Sequence, residues 1–171
     1  MTRVRLTTCI EAPIEQVFDL ARDLDLHQRS MAATRERAIG GRTSGRIGLG
    51  EHVTWQARHF GRTWTLTSRI TELETPHRLV DEQVRGPFRS FRHVHVFTSF
   101  DDRRRTRMTD EWVHVSPLGQ LGWLADRLVL DRYIRRLLET RNATIKREAE
   151  SARTSEPGTR TAIQAMDDPV A

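Results

Sequence analysis

The sequence is poor in the features that usually announce a function. It contains one cysteine, Cys9, so no disulfide can close within the chain. No apolar run approaches the roughly 20 residues a membrane-spanning helix needs, so no stable insertion into a membrane is expected. The opening Met1-Thr2-Arg3-Val4 leads into an alternating pattern and has no apolar stretch of the kind that marks a secretory signal. A single cysteine and no such signal make the cytoplasm the expected compartment. Lysine is nearly absent too, with Lys146 alone among 28 basic residues. The net charge of +5 could suit a nucleic-acid binder. Its arginines, however, are scattered among acids, and the densest runs, Arg103-Arg104-Arg105 and Arg135-Arg136, read as a hairpin tip and an outer helix face. No nucleic acid is therefore expected as a partner. A phosphate-cradling loop is also missing: the glycines of Gly45-Arg46-Ile47-Gly48-Leu49-Gly50 are followed by no helix start, and the segment reads as a mobile connection between strands at a cavity mouth. His93 and His95 share a strand face, and His59 or His114 could complete a ligand set. Without a helix-borne His/Glu pair or a cysteine cluster, no metal or cofactor is expected.

What is present is hydrophobic periodicity, and it is mostly that of strands. Val4, Leu6, Thr8 and Ile10 alternate with polar neighbours, as in a half-buried strand. Pro13 suits the start of a helix, and Ile14, Val17, Phe18 and Ala21 follow at helical spacing. The stretch from Asp23 to Met31 reads as a second short helix or a loop. Strand patterns then cover Thr34–Gly40, His52–Phe60, Arg62–Leu73, Leu79–Arg85, Ser90–Phe100 and Thr106–Val115, separated by turn signals such as Gly61-Arg62, Thr75-Pro76-His77 and Gly86-Pro87. From Leu118 to Glu150 one long helix is predicted, with Leu121, Leu124, Leu128, Ile134, Leu138 and Ile145 along its apolar stripe. The segment 151–171 is rich in small and polar residues and is expected to be disordered, leaving one domain over residues 1–150.

This order excludes a parallel sheet, because the crossover helices are missing. It fits an α+β helix-grip fold: a curved antiparallel sheet of about seven strands around a long C-terminal helix, with two short helices after the first strand. Particular residues agree. Ile10-Glu-Ala-Pro13-Ile-Glu-Gln-Val-Phe18, Leu79-Val-Asp-Glu-Gln-Val-Arg-Gly-Pro-Phe88, Phe91-Arg-His93 with Phe97, and Thr109-Asp110-Glu111 resemble, in that order, the START-like superfamily (SRPBCC, Bet v 1-like), in particular its bacterial ligand-binding and polyketide cyclase/dehydrase-type members. The resemblance covers about residues 3 to 150. It implies the helix-grip fold and a hydrophobic cavity, and no single reaction, because one fold hosts many functions.

Strand parity selects the side chains that face the helix. Trp55, Ala57 and His59 share a face, as do Trp64, Leu66 and Ile70; so do Phe91, His93, His95 and Phe97, and Met108, Asp110, Trp112 and His114. Asp81 and Gln83 join them from the fifth strand. The candidate ligand-binding set is therefore Trp55, His59, Trp64, Asp81, Gln83, Phe91, His93, Phe97, Asp110 and Trp112. Such a mix suits a small hydrophobic molecule that is lipid-, polyketide- or isoprenoid-like, held by a binding or carrier protein acting as a monomer or homodimer. The alternative is a polyketide cyclase/dehydrase-type enzyme, in which Asp110 or Asp81 orients His93 for proton transfer. Trp64 is expected in the core, and its truncation to cost a few kcal/mol.

Overall fold

The computed structural model describes residues 2–116 and 129–154. The chain runs β1 (Thr2–Ile10), α1 (Ile14–Ala21), α2 (Leu24–Ser30), a 3-10 turn (Ala32–Thr34), β2 (Arg37–Gly41), β3 (His52–His59), β4 (Arg62–Glu74), β5 (Arg78–Arg85), β6 (Ser90–Phe100), β7 (Arg105–Val115) and α3 (Asp131–Thr154). The strands form one seven-stranded antiparallel sheet in the order β1-β7-β6-β5-β4-β3-β2. Sequential hairpins build β2 to β7, and β1 returns to pair with β7. This is the helix-grip arrangement that the element order predicts.

Local chemistry explains the element ends. Pro13 precedes α1 with φ −59°, and its carbonyl accepts the Val17 N–H at 3.1 Å. The Asp23 carboxylate caps α2 by accepting the Leu26 N–H at 2.8 Å. The second short element is thus a helix. The strand expected from Thr34 begins instead at Arg37, because Ala32–Thr34 form a 3-10 turn whose Thr34 hydroxyl donates to the Met31 carbonyl. At the end of β2, Gly41 adopts φ +69°, and a Cβ there would lie 2.3 Å from the His52 carbonyl oxygen. No other residue fits that turn without moving the β3 backbone.

The glycine-rich connection is anchored, in contrast to the mobile segment predicted. Ile47 is buried in the core, its N–H donates to the Arg22 carbonyl, and the Leu24 N–H donates to the Gly45 carbonyl. The segment is tied to the α1–α2 junction by these bonds and to β4 by the Gly50 N–H on the Ile70 carbonyl.

Two register shifts bend the β4–β5 pairing, one leaving Val84 of β5 unpaired opposite Thr67 and Ser68 and one leaving Thr71 of β4 unpaired between Ile70 and Glu72. The second reverses parity, so Ile70 and Leu73 both pack on the core although they are three residues apart. The β6–β7 register is continuous from Ser90–Val115 to Phe100–Arg105, so their inner faces are those the alternation predicts. Pairing of β5 with β6 stops at Glu82–Arg92, and beyond it Gln83 donates to the Phe88 carbonyl. The sheet splays there.

The concave face carries the main core, in which Phe18 of α1 meets Phe97 edge-on at 5.3 Å. Helix α3 presents Ile134, Leu138, Arg141, Asn142, Ile145 and Ala149 as its buried stripe. Ile134 and Leu138 pack with Val4, while Ile145 and Ala149 join the main core. The helix runs to Thr154, four residues into the segment expected to be disordered. The remainder of that segment, and the predicted helical stretch over 118–128 with Leu121, Leu124 and Leu128, lie outside the described residues. No described helix is long and apolar enough to cross a membrane.

Candidate functional site: an internal cavity with an ionised wall

Between the concave sheet face, α2 and α3 lies a cavity of about 430 Å³. This is within the range of sites that hold small organic molecules. Its wall is mostly apolar: Val53, Trp55, Ala57, Leu66, Ile70, Leu79, Phe91 and Leu138 contribute, with Trp112 from β7. Phe60 and Trp64 also line it, at 62% and 39% exposure, so the cavity reaches solvent at the β3–β4 hairpin. Trp64 is therefore not a core residue as expected. Its indole N–H donates to the His59 carbonyl at 3.2 Å, holding the ring across the rim of the hairpin. His59 in turn meets the Tyr133 hydroxyl through Nδ1 at 2.7 Å, linking that hairpin to α3.

Of the ten candidate residues, the structure brings seven to the cavity wall: Trp55, His59, Trp64, Asp81, Phe91, His93 and Trp112. The other three do not line it. Phe97 packs against Phe18 in the core. Gln83 is engaged with the backbone of Phe88. Asp110 lies behind the histidines, fully buried.

One polar part of the wall is a connected cluster backed by Asp110. His93 Nε2 is 3.1 Å from Asp110 Oδ1, and His95 Nδ1 is 2.7 Å from the same oxygen, the latter off the line a ring N–H needs for a good hydrogen bond. Asp110 Oδ2 accepts the Asn142 side-chain N–H at 2.6 Å. The Arg141 guanidinium stands 3.8 Å from Asp110 Oδ1 while donating to the Ala21 carbonyl. On the cavity side Asp81 Oδ1 lies 3.7 Å from both His93 Nδ1 and His95 Nε2.

These contacts set the charges. Burial pushes the Asp110 carboxyl up, but hydrogen bonding from His93 and the His95 charge outweigh it and hold the group well below its ordinary value. Asp81 is lowered for the same kind of reason: burial is outweighed by His95, His93 and Arg141. Burial and Arg141 both act to lower His95, yet Asp110 and Asp81 prevail and raise it. His93 is brought down to about 4, by burial first and then by the His95 charge. Near neutral pH the cluster thus holds two carboxylates, a neutral His93 and the Arg141 cation.

Sequence reasoning missed Arg141, Asn142, Glu36 and Tyr133. The first two left a signal: between Leu138 and Ile145 the apolar stripe of α3 is broken by a charged and an amide side chain, and such a break in a buried face needs a partner. Glu36, which lines the cavity, has none in its own segment, because its partner His27 comes from α2 at 3.0 Å.

A sheet gripping one helix around an apolar cavity defines a helix-grip ligand-cavity protein. The chain belongs to the family of polyketide cyclases/dehydrases and lipid-transport proteins, whose model matches residues 1–150. No curated protein matches the sequence. Among solved structures, the chain is similar to the Zhui aromatase/cyclase from Streptomyces sp. R1128, with a TM-score of 0.70 at 18% identity over 87% of this chain and 93% of that one. It is also similar to a protein from Thermus thermophilus, with a TM-score of 0.68 at 20% identity over 86% and 99%. A START superfamily protein from Mycobacterium smegmatis aligns with a TM-score of 0.66 at 10% identity over 88% and 98%. At these identities the likeness is one of fold.

Proposed function

We propose that the protein binds a small hydrophobic molecule, lipid-, polyketide- or isoprenoid-like, in this cavity, with the molecule's carbonyl or hydroxyl end against Asp81 and His93. The observation that carries this reading is the wall itself, which is mostly aromatic and aliphatic and carries a compact cluster of Asp81, His93 and His95 besides the His27–Glu36 and His59–Tyr133 pairs. An apolar body would gain roughly 25 cal/mol for each Å² it buries. A polar end would find a neutral imidazole and a carboxylate that is 20% exposed. The cytoplasm is the compartment proposed, and a monomer or homodimer the assembly. Native mass spectrometry of the protein purified from its own host tests the proposal. A retained molecule of drug-like size supports it, and a uniformly empty protein that also takes up no added apolar compound opposes it.

A second reading, polyketide cyclase/dehydrase-type chemistry, is favoured by the neutral state of His93 beside Asp81. A neutral imidazole could take a proton from the carbon next to a carbonyl, and the resulting carbanion would attack a second carbonyl of the same chain before water is lost. Aromatic absorbance developing from a linear poly-β-keto thioester, and absent in His93→Phe, would separate this reading from simple carriage.

A further inference from the structure

We propose that Asp81, His93 and His95 form a binding site for one divalent transition-metal ion of the zinc type on the cavity wall. Among the described residues this is the one group of three such side chains whose donor atoms all lie within 4.8 Å of one another. A His-x-His pair read along one strand lacks its third ligand. The fold provides it from the neighbouring strand, because Asp81 pairs directly with His93 in the β5–β6 register.

The distances suit an ion better than a hydrogen bond. Asp81 Oδ1 is 3.7 Å from His93 Nδ1 and 3.7 Å from His95 Nε2. Both gaps are too long for a direct hydrogen bond. Ligand atoms around a tetrahedral zinc, with bonds of about 2.0–2.2 Å, stand roughly 3.3–3.6 Å apart; the two Asp81 gaps are close to this, and side-chain rotation would draw in a set whose atoms all lie within 4.8 Å. Two imidazoles and one carboxylate are the donor types that zinc, cobalt and iron share.

The independent support is Asp110. It meets the other nitrogen of both rings, at 3.1 Å for His93 and 2.7 Å for His95. A carboxylate behind a ligating histidine fixes the tautomer that directs its lone pair forward; Asp110 hydrogen-bonds His93 in this way and stands beside the corresponding nitrogen of His95. Here the forward nitrogens are His93 Nδ1 and His95 Nε2, which with Asp81 would place three electron-rich atoms face to face. A cation resolves that repulsion. A proton on His95 is the competing resolution, and the experiment must separate the two. Asp81 also lines the cavity, so a fourth coordination position would open toward it and could take water or an oxygen of a bound molecule. Only this fourth position depends on the cavity function proposed above.

The test uses the full chain without a histidine tag, stripped with a chelator and then titrated with Zn(II) by calorimetry and with Co(II) by visible absorption. One equivalent should bind with micromolar or tighter affinity, and cobalt should develop the d–d bands of a low-coordinate site. Asp81→Asn should weaken binding by about 100-fold or more, and Asp110→Asn by about 10- to 100-fold. His77→Ala, at an exposed histidine away from the cavity, should leave it unchanged. The absence of saturable binding by both ions, or binding that survives Asp81→Asn, would overturn the site and leave the protonated His95 pair as its explanation. Should Asp81→Asn fail to fold, the ring ¹⁵N shifts of the wild-type protein decide: zinc should move His93 Nδ1 and His95 Nε2, and unchanged shifts would refute the assignment. Binding of neutral 1-aminoanthracene to the metal-free protein is measured alongside. If the fluorophore binds and zinc does not, the metal site fails and the cavity reading stands; zinc binding without fluorophore uptake gives the converse.

Discussion

Replacing Asp110 by Asn would remove one charge from the centre of the buried cluster and change the shape very little. The wild-type carboxylate accepts from His93 at 3.1 Å, lies 2.7 Å from His95 and accepts from Asn142 at 2.6 Å. A neutral amide has one acceptor and one donor, so it must turn its NH2 toward either the histidines or the Asn142 amide, and a donor then faces a donor. Hydrogen bonds to charged groups contribute about 1.5–3 kcal/mol each, and breaking a buried ion pair by removing one partner costs about 3–5 kcal/mol. Because the contacts share one group, they are not additive, and the expected total is about 3–5 kcal/mol. For a domain of this size that lowers the melting temperature by roughly 6–20 °C. Urea denaturation of both proteins at pH 7 measures it. His95 supplies a second readout. With Asp110 gone, its largest remaining influences are burial and Arg141, both of which lower it, so its NMR titration should move down from the raised wild-type position. A loss under about 1 kcal/mol together with an unmoved His95 titration would refute the placement of Asp110 as the hub.

The other predictions rest on burial, charge and backbone. Phe97→Ala should cost about 3–5 kcal/mol, since the ring is 2% exposed and no neighbour can fill the space, whereas Trp64→Ala should cost about 1–2 kcal/mol, because solvent already reaches the ring; equal losses in urea denaturation would contradict the assignment of Trp64 to the cavity rim. Stability should peak near neutral pH. The folded value of about 4 for His93 lies below its unfolded one near 6.5, so its contribution is present above pH 6.5 and falls away toward pH 4, by on the order of 3 kcal/mol. Asp81 and Asp110 add a further loss below the ordinary carboxylate range, while His95, raised on folding, contributes below pH 6.5 and loses its effect as pH climbs through its folded value. Denaturation free energies that stay flat between pH 7 and pH 4.5 would contradict this. Gly41→Ala should destabilise by more than about 1 kcal/mol, because both its positive φ and the His52 carbonyl oppose a Cβ; thermal unfolding reads the change.

The fold was legible because its elements obey simple periods. Val4, Leu6 and Ile10 fix the face of β1, and Phe91, His93, His95 and Phe97 fix that of β6, since a one-residue slip would put the bulky side chains in water. Parity chose a face and not a depth. It placed Asp110, Phe97 and Trp64 on the concave side, but could not show that the first two lie beneath the cavity surface and that Trp64 lies at its opening. Depth depends on where α1 and α3 cover the sheet, and on the β4 register shifts, which no residue of that strand announces. The pairing of Asp81 with His93 was equally hidden, because it is fixed by hairpin registers across two strands. The anchoring of the glycine-rich connection through Ile47 was missed because one apolar residue among glycines carries no period.

The central claim, that the cavity is a binding site for an apolar molecule, is tested most directly by filling it. Ala57 lines the cavity and is 7% exposed, so Ala57→Phe would project a ring into the empty space and leave the polar cluster intact. Titration with 1-aminoanthracene, followed by its fluorescence, should show saturable one-to-one uptake by the wild-type protein and at least about 30-fold weaker binding, or roughly 2 kcal/mol, by an Ala57→Phe variant that melts at or near the wild-type temperature. Equal affinity in the two proteins, or no saturable uptake by the wild type, would contradict the account.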